Sequence, residues 1–389
     1  MRNMLYGTKK IKLFIICLMF FVLSGCWNNK ELTEMGIVVG VGIEKVENDE
    51  LEVTVQLIEP TSDEEGKQGS KKKTWRLLSA RGSTAFEANR NLLTKVNKTL
   101  NYSNIQVMII GEKLAEEGID DILDFFQRVH EIDKREIVLI SKGIKPKVLL
   151  GIEPEQADAS SLEIIETVKN TDRLASIRKM TMYDLILNVV EEGNSVVGMV
   201  KVSEVNKKLT TSNLDFTGAE VFKKDKLVGW LNASETYGFL IVDNKFKNPI
   251  INVPNPINSD EKVTVEITKS VTKKNVSFNN SKPVLLVEVQ AEGKMVEQHG
   301  KGDLTSADQI RALEEETSKE IKKVIDKTIK NAQQDLRIDI FGFDKIIHSK
   351  NLNYWREVKN NWNDIFCDSP VEIKVQYKNK EMGFIKKHI

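Results

Sequence analysis

The stretch from Met1 to Cys26 constrains this chain more than anything after it. Arg2, Lys9, Lys10 and Lys12 form a basic head, no acidic residue precedes Cys26, and Leu13 to Leu23 is an unbroken apolar run. Eleven apolar residues in a helix span roughly 16 Å, about half of a ~30 Å hydrocarbon core. The chain then turns to Trp27-Asn28-Asn29-Lys30-Glu31, which cannot continue a span. A basic head, a short apolar stretch and small residues at its end are the order of a secretory signal peptide.

What separates a plain secreted protein from an anchored one is the cysteine directly after Leu23-Ser24-Gly25, which resembles the lipobox of bacterial lipoproteins. That resemblance implies cleavage between Gly25 and Cys26 and a diacylglyceryl group on the Cys26 thiol. A further acyl chain such as palmitate would join the new amino terminus. Each buried CH₂ is worth about 0.8 kcal/mol and one chain alone gives marginal binding, so several chains together make a durable anchor. The plainer alternative is an unmodified Cys26 behind an ordinary signal peptide.

With residues 1–25 removed, enough chain remains for two or three domains, and 40% hydrophobic residues suffice for packed cores. The 57 basic and 57 acidic residues balance, and losing the leader's four cations leaves the rest acidic by four. Nucleic-acid binding is excluded on this ground, since it needs a clustered basic excess. Cys17 lies in the leader and Cys26 at the anchor, which leaves Cys367 without an intramolecular partner. Stability must come from packing rather than from a disulfide framework.

The pattern along the chain is mixed. Ile37–Val39, Leu51–Leu57, Ile105–Ile110 and Ile137–Ile140 read as strands, separated by a polar loop over 61–73 and two helices. The first helix is capped by Ser83 and carries Phe86, Leu92, Leu93 and Val96; the second carries Leu114 through Val129. Residues 153–192 look helical, Val196–Val205 and Phe216–Trp230 look like strands with a hairpin at Lys223-Lys224-Asp225-Lys226, and Ser234 begins a short helix. Three prolines between Pro249 and Pro256 suggest a boundary, followed by strands at 263–271, 276–278 and 284–296.

Then comes the clearest period: Ile310, Leu313, Thr317, Ile321, Val324, Thr328, Ile329, Ala332 and Leu336, behind an N-cap at Ser306. A long amphipathic helix lying on a sheet is expected, a membrane-surface helix being the alternative. Trp355, Val358, Trp362 and Phe366 share one helical face, and Val371, Ile373, Val375 and Tyr377 alternate as a terminal strand. Burial of Trp355 and Trp362 is expected; an exposed partner-binding ridge is the alternative. The fold class is α+β: a multi-domain body of mixed sheets flanked by helices. The expected units are 26–170 (N-terminal, mixed α/β), 171–250 (middle) and 251–389 (C-terminal α+β).

Catalytic constellations do not emerge. His130, His299, His348 and His388 form no ligand spacing, and there is no CxxC, no GxSxG and no GxxxxGK[ST]. Gly40-Val41-Gly42 lacks the third glycine and the following helix of a dinucleotide loop, and reads as glycines that ease a bend. Glu163 with Glu166, and Asp120 with Asp121, are carboxylate pairs of the kind that decorate helix surfaces. Asp133-Lys134-Arg135-Glu136 reads as a solvated turn, and Cys367 as a small core residue. No enzyme, cofactor or metal is expected.

The run from Gly25-Cys26-Trp27-Asn28-Asn29-Lys30-Glu31-Leu32 to Gly40-Val41-Gly42-Ile43-Glu44 resembles the start of the Ger(x)C family of spore germination lipoproteins, the C subunits of nutrient germinant receptors. Asn28 and Glu44 stand where that family usually has Asp. Gly218–Phe222 with Leu227–Leu231, Glu235-Thr236, and the run from Leu313-Glu314 through Asp339-Ile340-Phe341-Gly342 to Trp355 and Trp362 are similar to it too. The resemblance implies a three-domain α/β ectodomain without catalysis. It would be lipid-anchored on the extracytoplasmic face of the spore inner membrane, beside an A subunit and a transporter-like B subunit that respond to small nutrients. The rival is a solute-binding lipoprotein of a transporter, which needs two matching lobes.

Overall fold

The computed structural model describes residues 34–58, 74–129, 131–171, 174–203 and 210–381. Gly25, Cys26, the 61–73 segment, His130 and His388 lie outside the described residues.

The apolar runs form the middle of a large sheet. Its strands are β1 (Met35–Lys45), β2 (Leu51–Ile58), β3 (Trp75–Gly82), β4 (Thr99–Asn101), β5 (Val107–Gly111), β6 (Ile137–Ser141), β7 (Met180–Thr181), β8 (Asn194–Val202), β9 (Leu214–Asp215), β10 (Ala219–Lys223) and β11 (Lys226–Leu231). The main order is β11-β10-β8-β6-β5-β1-β2-β3, with β4, β7 and β9 as short side pairs. The four central strands β8, β6, β5 and β1 run parallel, and the flanking ones antiparallel. Burial on both faces explains why Val107–Ile110 and Ile137–Ile140 carry no polar alternation. The sheet is continuous across residue 170.

Helices cover both faces. One layer comprises α1 (Ala85–Leu92), α2 (Glu112–Glu117), α3 (Asp120–Arg128) and α6 (Met182–Val190); α4 (Pro146–Gly151) and α5 (Ser160–Asn170) lie opposite. Met108, Ile110, Val138 and Ile140 face the first layer, Val107, Ile109 and Leu139 the second. Several expectations shift here. Thr84, not Ser83, caps α1, because Ser83 is engaged with the Glu87 carboxylate. Phe86 and Leu93 consequently point outward, and Ala85, Ala88 and Leu92 are buried. The helix over Leu114–Val129 breaks in two at Gly118, whose φ of +132° no other residue adopts easily. The 153–192 segment holds two helices, α5 and α6, separated by β7.

The chain crosses to the second body through α7 (Ala233–Asp243), capped by Asn232 with Glu235 in a reciprocal box rather than by Ser234. Strands β12 (Ile250–Pro254), β13 (Lys262–Asn279), β14 (Lys282–Gln298) and β15 (Val371–Glu381) form a second sheet in that order. Pro254 sits on the edge strand β12, where a missing N–H costs no ladder bond. The expected pieces at 263–271 and 276–278 are one strand of 18 residues. Strand β15 runs parallel to β14.

The long helix α8 (Ala307–Lys330), capped by Ser306 as its sequence predicts, packs across this sheet and continues in wider turns to Leu336. Its buried stripe is Leu313, Thr317, Ile321, Ile325, Thr328 and Ile329, with Ile325 taking the place expected for Val324. Helix α8 also closes the sheet edge. The Tyr377 N–H donates to Ser318 Oγ (3.0 Å) and the Asn379 N–H to Glu314 Oε1 (2.9 Å), so two outward donors of β15 find side-chain acceptors. The aromatic segment folds as α10 (Leu352–Val358) and α11 (Trp362–Asp368), not one helix, after α9 (Phe343–Lys350). Trp362 is buried and Trp355 half-buried, their rings edge to face at 6.2 Å. One apolar cluster runs from Val196, Ala219, Val221 and Leu231 of the first sheet into Val263, Leu285 and Ile321 of the second body.

Candidate functional site

The residues singled out from the sequence do not converge. His299 is exposed and sits 3.1 Å from Glu297, while His348 lies against Trp355 at 5.9 Å between ring centres. Glu163 is structural: it accepts the N–H groups of Glu155 and Gln156 and the Thr211 hydroxyl, whereas Glu166 pairs with Lys169. Asp120 and Asp121 are exposed in the first turn of α3. Asp133 pairs with Arg135, and Glu136 is buried, which pushes its carboxyl up. Cys367 packs beside the second core, and burial raises its thiol above the usual range. Among the described residues no three His, Cys, Asp or Glu side chains assemble to hold a metal.

The pairing of β1 with β2 shifts register between Val38 and Gly40, an irregularity of the kind that bends a strand, and Gly40 and Gly42 also serve close packing. A Cβ on Gly40 would lie 2.7 Å from Ser161 Cβ, and one on Gly42 2.8 Å from Pro146 Cβ. They let α4 and α5 approach β1 closely. At the carboxyl ends of the parallel strands, where open α/β sheets usually bind ligands, charged pairs fill the space. Lys142 Nζ meets the buried Glu220 at 3.0 Å and lies 4.5 Å above the Trp230 ring. Burial raises the Glu220 carboxyl, and Lys142 pulls it back.

The seam between the two bodies holds a buried carboxylate. Asp339 is almost fully buried, and its carboxylate accepts four N–H donors. Oδ1 takes Phe341 (3.0 Å) and Gly342 (3.1 Å); Oδ2 takes Asp344 (2.9 Å) and the Trp362 indole (2.9 Å). The turn needs Gly342 at φ +74°, a conformation glycine adopts without strain. The Asp339 carbonyl accepts from Asn194 Nδ2 of β8 (2.9 Å), and its own N–H donates to Asn363 Oδ1 (3.1 Å). One residue thus ties the first sheet to α11 and the loop before α9. Burial, with Asp344 alongside, pushes its carboxyl up to about 6 against the pull of those four donors. The sequence marked Asp339 only through resemblance; an aspartate three residues before glycine is the signal for such a side-chain-to-backbone turn.

Two cavities flank this node, one of about 280 Å³ beside Phe341 and Lys345, the other of about 780 Å³ beside Trp355 and Arg337. Both take one wall from the first body and one from the second.

Comparison with known proteins accounts for nearly all of the chain. Residues 28–202 match the family described as the spore germination protein N-terminal domain, and residues 217–383 match the family described as spore germination B3/GerAC like, C-terminal. The chain is 25% identical to spore germination protein KC of Bacillus subtilis over 95% of each chain. It is 22% identical to spore germination protein B3 of the same organism, covering 97% of this chain and 99% of that one. The crystal structure of the GerBC protein superposes with a TM-score of 0.59 at 18% identity, over 88% of this chain and 97% of that one, so the fold is shared. The shared fold of two sheets and these matches in order lead to one assignment: the chain belongs to the Ger(x)C family of spore germination proteins.

Proposed function

We propose that this chain is a non-enzymatic, lipid-anchored subunit of a spore nutrient germinant receptor, working beside A and B subunits at the extracytoplasmic face of the spore inner membrane. The observation that carries this reading is the pair of family matches at 28–202 and 217–383, which follow the leader without a large gap. Among the described residues no helix is long and apolar enough to cross a membrane; in this reading the attachment is carried by Cys26. Nine residues from Cys26 to Met35 reach at most ~32 Å, which keeps β1 within one domain diameter of the lipid. A body held that close needs no catalytic group of its own to act through membrane neighbours. The transporter-associated alternative gains no support from relatives named for spore germination.

Deleting the gene is expected to abolish germination in response to at least one nutrient while a receptor-independent trigger still works. Restoring the parent gene should rescue the response, and restoring Cys26→Ala should not. Full rescue by Cys26→Ala would sink the anchored-subunit reading.

A further inference from the structure

The smaller seam cavity, about 280 Å³, is distinguished by what its walls leave unsatisfied. Its charges cancel: three cations, Arg178, Lys274 and Lys345, are matched by three carboxylates, Asp243, Asp339 and Asp344. Each is also engaged. Arg178 lies 3.4 Å from Asp243, Lys345 lies 2.7 Å from Glu191, and Lys274 donates to the Phe341 carbonyl. Asp339 holds its four N–H donors, and Asp344 lies in the field of Lys345 and Lys274. A charged ligand would bring in a desolvated charge with no free partner waiting for it, which is costly.

Two hydrogen-bonding atoms are left over. Arg178 Nε and Ser195 Oγ are buried without a partner among the described residues, and both residues line this cavity. Ser195, on β8, is 2% exposed; the Arg178 side chain, just before β7, is 14% exposed. A guanidinium Nε always carries its proton and can only donate, and a hydroxyl can donate as well. Buried polar atoms are nearly always paired, so two orphans on one cavity call for an acceptor inside it. At ~30 Å³ each, about nine waters would fill the space, several more than two donors need. The rest of the wall gives water little to bond. Phe239 of α7 and Phe341 after the Asp339 turn are both buried, their ring centres 6.0 Å apart, and Met180 is buried beside them in the lining. Few placed polar groups on an otherwise apolar wall, where two bodies meet, is the make-up of a small-molecule site.

We propose that this cavity binds a small uncharged carbonyl compound, a carboxamide or lactam on a short apolar body. Its carbonyl oxygen accepts from the Arg178 and Ser195 donors, and its body lies against Phe239 and Phe341. Such a ligand touches both bodies, adding to the ties that Asn194–Asp339 and Glu191–Lys345 already make across the seam. This goes beyond the receptor reading and does not depend on it, because it concerns the isolated chain.

The test uses the full chain in detergent micelles, with binding followed by calorimetry. The probes are benzamide, benzoate and benzylammonium, which share a ring and differ in charge. Benzamide should bind at least about fivefold more tightly than either ion, since the cavity has hydrogen bonds to give and no charge to neutralise. Ser195→Ala should weaken benzamide about threefold to tenfold, the loss of one hydrogen bond. The same change should leave the melting temperature of the free chain equal or higher, because it removes an unpaired buried hydroxyl. Arg178→Lys keeps a cation beside Asp243 but deletes the Nε donor, and should weaken benzamide by a similar factor. Either variant serves alone if the other folds poorly. Absence of benzamide binding leaves the cavity to water only and overturns the proposal. Equal or tighter binding of benzoate or benzylammonium, or undiminished benzamide binding by a folded variant, overturns it too. None of these outcomes bears on whether the gene is needed for germination.

Discussion

Gly238 offers a sharp test of how α7 meets α8. On helix propensity alone, Gly238→Ala should stabilise the chain by about 0.8–1 kcal/mol, because glycine in a helix interior loses the most backbone entropy. The packing predicts the opposite. A Cβ at 238 would lie 2.1 Å from Thr328 Oγ1 and 2.8 Å from the Val324 carbonyl oxygen, both on α8. The Thr328 hydroxyl bonds the carbonyls of Val324 (3.0 Å) and Glu235 (3.1 Å), so it cannot turn away without losing the contact that joins the helices. Moving α8 instead would disturb Ile321, Ile325 and Ile329, all buried against the second sheet. Overpacking of this kind costs about 1–3 kcal/mol, and the lost hydrogen bond about 1 more. After the propensity gain, a net loss of about 1–3 kcal/mol remains. That corresponds to a fall of roughly 3–10 °C in Tm for a body of this size. Thermal unfolding by circular dichroism reads it directly. Gly238→Ala combined with Thr328→Ala should recover about 1 kcal/mol of the loss, since the second change removes the obstructing hydroxyl. Gly151→Ala is the control, because its added methyl meets only Leu77 Cδ2 at 3.6 Å and should shift stability by less than about 0.5 kcal/mol. If Gly238→Ala melts at or above the parent temperature, the close crossing of α7 and α8 is wrong.

Further outcomes are expected at three positions. Cys26→Ala should move the chain from the membrane pellet to the soluble fraction after spore lysis; unchanged partitioning would show that acyl chains do not hold it. Asp339→Asn should destabilise the chain by about 2–4 kcal/mol, because an amide nitrogen would face N–H donors that the carboxylate accepts. The Asp339 carboxyl, raised to about 6, holds its proton more tightly in the folded chain than in the unfolded chain. Its contribution therefore lowers stability as pH rises from about 4 to 6, and urea midpoints across that window should lose this slope in Asp339→Asn. Ser318→Ala removes the acceptor for the Tyr377 N–H and should cost about 1 kcal/mol; hydrogen exchange at that amide should quicken, and unchanged protection would argue against edge closure by α8.

Local patterns carried a good deal of this architecture. The expectation of export is read from the charge and length of the first residues, which a chain presents before any fold exists. The runs at Val107–Ile110 and Ile137–Ile140 announce buried strands, and the three- and four-residue spacing from Ile310 to Leu336 announces a helix with one apolar stripe. These are properties of neighbours along the chain, so the order of residues states them. Local reading failed where two local solutions compete. Ser83 and Thr84 are both fit to cap α1, and the choice fell to Thr84 because Ser83 binds Glu87. Trp355 to Phe366 has the spacing of one helix, yet the chain breaks at Lys359–Asn361 so that Trp362 can reach Asp339.

Everything that depends on remote partners was settled by tertiary structure alone. No local pattern places β15 parallel to β14, because a strand's alternation is the same in either direction. Gly40 and Gly238 look like weak points in their elements until α5 and α8 arrive against them. Asp339 reads as one more surface aspartate until burial and four N–H donors make it a node. The physical reason is common to all of them. Hydrophobic periodicity is short-ranged and written residue by residue, whereas desolvation and charge balance are set by which distant groups exclude water from one another.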